Sequence, residues 1–254
     1  MVSIGIVGVG VVHMNTIRIS NYSISIPRKA ARIERLKIAM AADFHLGYLA
    51  PNKFIEKFEN IINKIQPDIL LIPGDIVDGY RDDGKMEDFA WMFRNLKIRY
   101  GIFACPGNHD TFRNNDSKGF FERAGIRMLK DEIIVIDQSF SLLGRKDYHS
   151  TDRKELNYLL QNISPDLPVI VLDHRPLALN EVSKYRVDIQ LSGHTHNGQL
   201  FPINFLIHYL YELGWGYKKI KSTNFFVTSG IRLWGPPVRT AGNSEIMVID
   251  VRFK

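Results

Sequence analysis

Apolar positions along this chain recur with a period that switches between two and about 3.6, so strands and helices alternate through most of its length. The alternating stretch Ile17–Ile26 predicts an edge strand, and the aliphatic run at residues 36–42 predicts a buried strand ending at Asp43. Phe54, Ile55, Phe58, Ile61, Ile62 and Ile65 repeat at helical spacing behind Pro51 and Asn52. Pro67 halts that helix before a strand at residues 69–72, which ends at Gly74 and Asp75. A helix at 87–96 leads into a strand at 101–104. Paired strands follow at 133–136 and 139–143, then a helix at about 152–162 and strands at 169–172, 187–191, 225–228 and 245–251. Several strands stop at a residue able to bind a cation, which suggests two packed sheets flanked by helices with chemistry at the strand ends.

Two apolar segments stand apart. Residues 2–12 carry no charge, and as a helix they would reach roughly 16 Å, about half the hydrocarbon thickness of a bilayer. They read as a packed terminus or as the stump of a membrane helix. Arg18, Arg28, Lys29, Arg32, Arg35 and Lys37 follow, as on the cytoplasmic side of an anchor. No basic residue precedes the stretch and no small-residue pattern closes it, so it does not read as a secretory signal. Gly8-Val9-Gly10 has His13 where a third glycine would stand and no strand before it, which sets a dinucleotide fingerprint aside. At 205–213, Phe205, Leu206, Tyr209, Leu210 and Leu213 fit a helix with Asn204, His208 and Glu212 as a narrow polar stripe. This segment is expected either to pack on the core or to act as a flap touching lipid or a substrate tail, helped by Lys218, Lys219 and Lys221. The chain then divides into an N-terminal segment at 1–35 and one domain at 36–254.

Composition narrows the picture little. With 254 residues, 45% hydrophobic and 24% charged, the chain can bury a sizeable core, and it has no linker, repeat or disordered tract. Thirty-three Lys plus Arg against 27 Asp plus Glu leave +6, a balance that attracts polyanions without choosing among them. The single cysteine, Cys105, excludes an intrachain disulfide and a cysteine-based zinc cluster, and reads as a buried filler.

The candidate chemistry lies in four strings and a lone histidine: Asp43-Phe44-His45, Gly74-Asp75, Gly107-Asn108-His109-Asp110, His174, and Gly193-His194-Thr195-His196. Side chains two apart in a strand share a side, so Asp43 and His45 can reach one cation, and His194 and His196 can both face a pocket. Asp75 offers two oxygens that could bridge two cations, and Asn108 a neutral amide oxygen. Two divalent cations with two carboxylates and a hydroxide leave a net +1, which attracts a phosphate oxygen. Imidazole with oxygen donors suits manganese, iron or zinc better than calcium. His109 could protonate a leaving oxygen, with Asp110 or Asp78 orienting its ring. His13, His149 and His208 lack ligand partners nearby and are expected to be surface or structural residues.

In this order the strings, with Asp78 completing Gly-Asp-x-x-Asp, resemble the calcineurin-like metallophosphoesterases over about residues 36–251. The resemblance implies an α/β (α+β) fold in which two packed mixed β-sheets form a four-layer α-β-β-α sandwich. It implies one metal held by Asp43, His45, Asp75 and His196 and another by Asp75, Asn108, His174 and His194, with His109 as proton donor. Phe44 and Cys105 stand where the family is usually aliphatic, a departure in packing. The stretch from Ser192 to Gln199, with Thr228-Ser229-Gly230 and Gly235-Pro236-Pro237-Val238-Arg239, resembles the bacterial membrane-associated branch, which includes phosphodiesterases and a pyrophosphatase on nucleotide-linked acylated sugars. That branch implies a phosphorylated or lipid-linked substrate, an anionic membrane surface as a partner, and a place on the cytoplasmic side of the membrane, peripheral or anchored, with a soluble cytoplasmic protein as the alternative. Arg175, Asn197, Gln199 and Arg239 are candidate substrate contacts whose alternative role is to brace loops. Phosphomonoesterase, nuclease and non-catalytic scaffold remain as rivals. No nucleic-acid-reading module is legible, so neither nucleic acid nor a protein partner is expected.

Overall fold

The computed structural model describes residues 2–27, 30–47, 52–78, 84–112, 117–161 and 163–254; Arg28, Lys29, Pro51 and Asn162 of the sequence reading lie outside them. In chain order the strands are β1 (Ile17–Ile26), β2 (Arg35–Met40), β3 (Ile69–Pro73), β4 (Ile102–Cys105), β5 (Ile126–Met128), β6 (Glu132–Ile136), β7 (Phe140–Gly144), β8 (Val169–Leu172), β9 (Ile189–Ser192), β10 (Gly216–Ile220), β11 (Thr223–Val227) and β12 (Ser244–Phe253). The helices are α1 (Val2–Asn15), α2 (Asn52–Ile65), α3 (Lys85–Asn95), α4 (Asn108–Phe112), α5 (Ser117–Ala124), α6 (Leu156–Leu160), α7 (Leu179–Val182) and α8 (Ile203–Leu210).

The strands form two six-stranded mixed sheets, ordered β1-β12-β2-β3-β4-β5 and β10-β11-β9-β8-β7-β6. Register explains how both faces of the first sheet become apolar. Met40 pairs with Leu71 and Leu71 with Phe103, and that row faces the second sheet, while Leu70 and Ile102 one position away face the helices. Strands covered on both faces need such continuous aliphatic runs rather than a polar alternation. Between the sheets, Ile38, Met40, Ile69, Leu71 and Phe103 meet Leu142, Ile170, Leu172, Leu191 and Phe226. Outside the first sheet lie Phe58 and Ile62 of α2, Phe89 and Phe93 of α3, and Phe120 of α5; outside the second lie Leu156 and Leu159 of α6 with Leu179 of α7. The result is the expected α-β-β-α sandwich of two mixed sheets.

β1 is an edge strand, as its alternation predicts, and pairs in parallel with β12 from Ile17↔Ser244 to Ile26↔Phe253. Arg35 is the first residue of β2, and β1 and β2 lie in the same sheet. The helix expected at 152–162 shrinks to α6, because the backbone N–H groups of Lys146 and Lys154 both donate to the Asp131 carboxylate and hold the preceding loop out of the helix. Sequence reasoning missed β5, α5 and β10: the first is three residues long, the second contains a glycine, and the third carries two lysines on a solvated edge.

The largest departure is at α8. None of its residues is buried, and Phe205, Leu206, Tyr209 and Leu210 are exposed, so packing on the core is not what its apolar face does. The apolar residues at 2–12 do form a helix, α1, and only its Gly10 is buried among the residues whose burial is described. Among the described residues no helix is long and apolar enough to cross a membrane.

Candidate metal centre

The parallel strands β2, β3 and β4 of one sheet and β8 and β9 of the other end at the same side of the sandwich, where their loops carry Asp43, Asp75, Asn108, His174 and His194. Phe44 anchors the first loop. It is fully buried against the rings of Phe58 and Phe93, with centroids 5.2 and 5.4 Å away, which turns its neighbours Asp43 and His45 the other way.

Strand alternation is not what aligns these ligands. Asp43, His45, Asp75, His194 and His196 all adopt positive φ, between 44° and 72°, in turns beyond the strand ends. Such conformations cost on the order of 1–3 kcal/mol each in a non-glycine residue and persist where surrounding structure enforces them. The enforcing contacts are visible. Asp110 accepts from the backbone N–H groups of Ile76 (3.1 Å), Val77 (3.0 Å) and Gly107 (2.9 Å), stapling the Asp75 loop to the Asn108 loop. His109 N–H donates to Asp75 Oδ1 at 2.9 Å, and His194 N–H to Asp43 Oδ1 at 3.0 Å. Gly107 lies so close that a Cβ there would fall 2.1 Å from Asp75 Oδ1, and one on Gly74, at φ 90°, would fall 2.4 Å from His174 Nδ1.

The atoms of the expected ligands form two adjoining groups, and His45 also belongs to a third with Asp78 and His109. Asp43, His45 and His196 each place an atom within 4.8 Å of the others, and so do Asp75, His174 and His194. Asp75 joins them: its Oδ2 lies 3.2 Å from His174 Nε2 and 3.9 Å from His45 Nε2. Asn108 Oδ1 lies 3.2 Å from His174 Nε2 on the second group's side. His174 Nδ1 donates to Pro73 O at 2.9 Å, which turns Nε2 toward Asp75 and Asn108; burial pulls this ring's pKa down, but Asp75 outweighs it and raises it to about 10, so a cation held there would replace the Nε2 proton.

Divalent cations fit this donor set. His45 Nε2 and His196 Nε2 face each other at 3.2 Å, and the Nδ1 atoms of both rings are buried with no hydrogen-bond partner among the described residues. Burial pulls the His45 ring down to about 4 and that of His194 to about 3, and depresses His196 further, so the three imidazoles are neutral and free to donate lone pairs. Burial, helped by the neighbouring Asp75 charge, pushes the Asp43 carboxyl up to about 7 against the opposing pull of His174 and Arg239. Asp75 is likewise pushed up by burial, but the neighbouring His174 outweighs this and holds it well below the usual range.

Two cavities open on the ligands. One of about 630 Å³ lies beside His45 and Asp78 and is walled by Lys53, Phe54, Lys57 and Arg232; the other, of about 330 Å³, lies beside Asp75, Asn108 and His194 and is walled by Ile203, Ile207, Tyr211 and Trp234.

A family model described as calcineurin-like phosphoesterase matches residues 36–198. The chain belongs to that family. Among its relatives, an uncharacterized metallophosphoesterase of Aquifex aeolicus is 31% identical over 95% of this chain and 95% of its own length. An uncharacterized metallophosphoesterase of Helicobacter pylori is also 31% identical, over 84% of this chain, which spans 59% of that protein. The UDP-2,3-diacylglucosamine pyrophosphatase LpxG of Chlamydia trachomatis is 25% identical over 73% of this chain and 71% of LpxG. This calcineurin-like phosphoesterase is thus a metal-dependent hydrolase of phosphoesters, of a family whose centre is dinuclear and divalent.

All seven expected ligands, with His109, meet at this centre. Asp78, not Asp110, touches the His109 ring: Asp78 Oδ1 lies 3.2 Å from His109 Nδ1. Two of the candidate substrate contacts take their alternative, loop-bracing role, Gln199 while also lining the smaller cavity. Arg239 is fully buried and donates to the carbonyls of Ser229, Gly230 and His196; Gln199 Nε2 donates to the Trp234, Pro236 and Val238 carbonyls, at 2.8 Å for the first. Both brace loops. Arg175 pairs with Asp147 at 3.4 Å and lines a separate cavity with Arg145 and Arg153, while Asn197 is buried beside His196 with its Oδ1 unpartnered. Cys105 is fully buried between the sheets, and burial pushes its thiol well up. His13, His149 and His208 belong to none of the described ligand groups.

Sequence reasoning missed Glu245, which is buried and accepts from Trp215 Nε1 (2.8 Å), Thr228 Oγ1 (3.3 Å) and Ser229 N (3.1 Å), fixing the turn that packs Gly230 against Asp43. An acid at the start of an aliphatic strand was its only signal. It also missed Lys53, Lys57, Arg232 and Trp234, which lie in no motif and are recognised only by the cavities they wall.

Proposed function

We propose that this chain is a two-metal hydrolase of phosphodiester or pyrophosphate bonds, working with manganese on a membrane-associated or nucleotide-linked substrate. The observation that carries the reading is Asp75 Oδ2 standing between the His45 and His174 nitrogens, where one carboxylate serves two ligand groups. When bound, two divalent cations supply the charge that stabilises a phosphoryl group and lowers the pKa of an attacking water. Asp43, His45, Asp75 and His196 would hold one, and Asp75, Asn108, His174 and His194 the other.

His109 protonates the departing oxygen. The Asp78 hydrogen bond raises the pKa of its half-buried ring, which keeps a proton available near neutral pH, and fixes Nδ1 so that Nε2 is the donating atom. Its backbone N–H, bonded to Asp75, ties the donor to the ligand loop. A diester or pyrophosphate has two arms, and two unlike cavities flank the centre: Lys53, Lys57 and Arg232 suit an anionic or aromatic arm, and Ile203, Ile207 and Trp234 an apolar one. The name of the LpxG relative, a pyrophosphatase on an acylated sugar nucleotide, points the same way; a place at the cytoplasmic face of the membrane is part of the same proposal.

A manganese-supplemented assay comparing aryl phosphodiester with aryl phosphomonoester turnover tests the reading, in native protein and in His109→Ala. Diester preference with a large loss in the variant is expected. A monoester preference above about tenfold would replace the diesterase reading with a phosphatase, and equal rates for the two proteins would remove His109 from the mechanism.

A further inference from the structure

The two cavities share a rim whose apolar side chains point away from the protein. On α8, Ile203 and Ile207 line the smaller cavity and the Asn204 backbone packs on Gly198, while Phe205, Leu206, Tyr209 and Leu210 are all more than half exposed. A helix on a water-facing surface has the reverse pattern. Phe201 before it and Trp234 across the cavity are exposed to a similar extent. The loop carrying Trp234 continues to Gly235 and Pro237, which wall the larger cavity together with Met14 and Asn15 of α1, and Arg239 N–H donates to Gly10 O at 3.2 Å. The apolar surface therefore runs from α8 through the Trp234 loop to α1.

α1 sharpens the anomaly. It has no charged residue from Val2 to Val12, and Val7, Val9 and Val12 are more than half exposed, so it offers water no polar face. Its 14 residues reach about 21 Å, too short to cross a hydrocarbon layer and long enough to lie in its boundary. Cations border the arc: Lys53 in the wall of the larger cavity, Lys57 beside it with its Nζ donating to Asn15 O at the end of α1, and the exposed Lys218 and Lys219 of β10, with Lys218 Nζ donating to Glu212 O just beyond α8.

We infer that this arc docks on an anionic phospholipid bilayer. α1 and α8 lie in the interface with Trp234 between them, the lysines meet headgroup phosphates, and the mouth of the centre faces the membrane, so that an amphiphilic phosphoester enters without crossing bulk water. The docking surface follows from exposure and charge; only substrate entry rests on the phosphoesterase reading.

The test uses the full chain and vesicles of phosphatidylcholine with and without phosphatidylglycerol. Expected are binding to the anionic vesicles that weakens with salt, and quenching of tryptophan emission by brominated acyl chains that Trp234→Phe removes. The double variant Leu206→Glu, Tyr209→Glu should partition at least roughly tenfold less while hydrolysing a soluble aryl phosphodiester at the native rate. Should that variant unfold, Leu210→Glu takes its place. Absence of binding at low salt, or undiminished binding by the folded variant, overturns the inference. So does a native dimer that the variant turns into a monomer, because a second copy would then cover the arc. A protein that binds vesicles but cleaves no phosphoester keeps the docking surface and loses the proposed function; one that cleaves without binding does the opposite.

Discussion

Phe44 sits between Asp43 and His45, and Tyr209 on α8, the helix whose Asn204 backbone packs on Gly198, yet Phe44 is fully buried among aromatic rings and Tyr209 is 86% exposed. Around Phe44, apolar side chains form the rigid back of the site, and the energy of burying them holds Asp43 and His45 in strained left-handed turns. On α8 and α1, side chains of similar character contribute almost nothing to the folded interior. The difference separates residues that build the centre from residues that address what approaches it: a core substitution should damage stability and catalysis together, and a rim substitution neither.

His109→Ala should cut diester turnover by about 10²–10⁴-fold, with an unchanged melting temperature, as removal of a proton donor does. A loss below about tenfold would place His109 outside the reaction. Phe44→Ala should cost about 3–5 kcal/mol in denaturant unfolding and reduce metal retention, because the loop behind Asp43 and His45 loses its anchor. A stable, active variant would show that the ligand loops hold themselves. Asp78→Asn should lower turnover by about 10–100-fold. The sign of its pH effect is fixed: Asp78 raises the His109 pKa, so in its absence the ring gives up its proton at lower pH, and the alkaline limb of kcat should move down. An unmoved limb would detach Asp78 from the donor. Smallest of all, Tyr209→Glu should leave soluble-substrate turnover and the melting temperature within error of native, since the side chain is solvated. A clear loss of either would erase the distinction between back and rim.

The layered fold was legible because strands buried on both faces must be continuous aliphatic runs, and such runs at 36–42, 69–72 and 169–172 leave little else to become. The convergence of the candidate ligands was legible because their side chains sit beside short backbone devices, Gly74 before Asp75 and Gly107 before Asn108, whose close approaches the structure shows. The turn geometry was not. Parity along a strand put Asp43 and His45 on one side, but positive φ at both residues and a buried phenyl ring between them produce that outcome. Nor could periodicity say which way α8 faces, since a helical repeat marks an apolar stripe without naming what covers it. That Gln199 and Arg239 brace loops was not legible either, because their carbonyl partners come from loops distant in sequence.

The account stands or falls on Asp75 serving both ligand groups, and elemental analysis of the purified full chain reads this directly. Two equivalents of manganese or another transition metal per active chain are expected, falling below one in a folded Asp75→Asn variant together with activity. An active protein with no bound transition metal, or a variant that retains both ions, would contradict it.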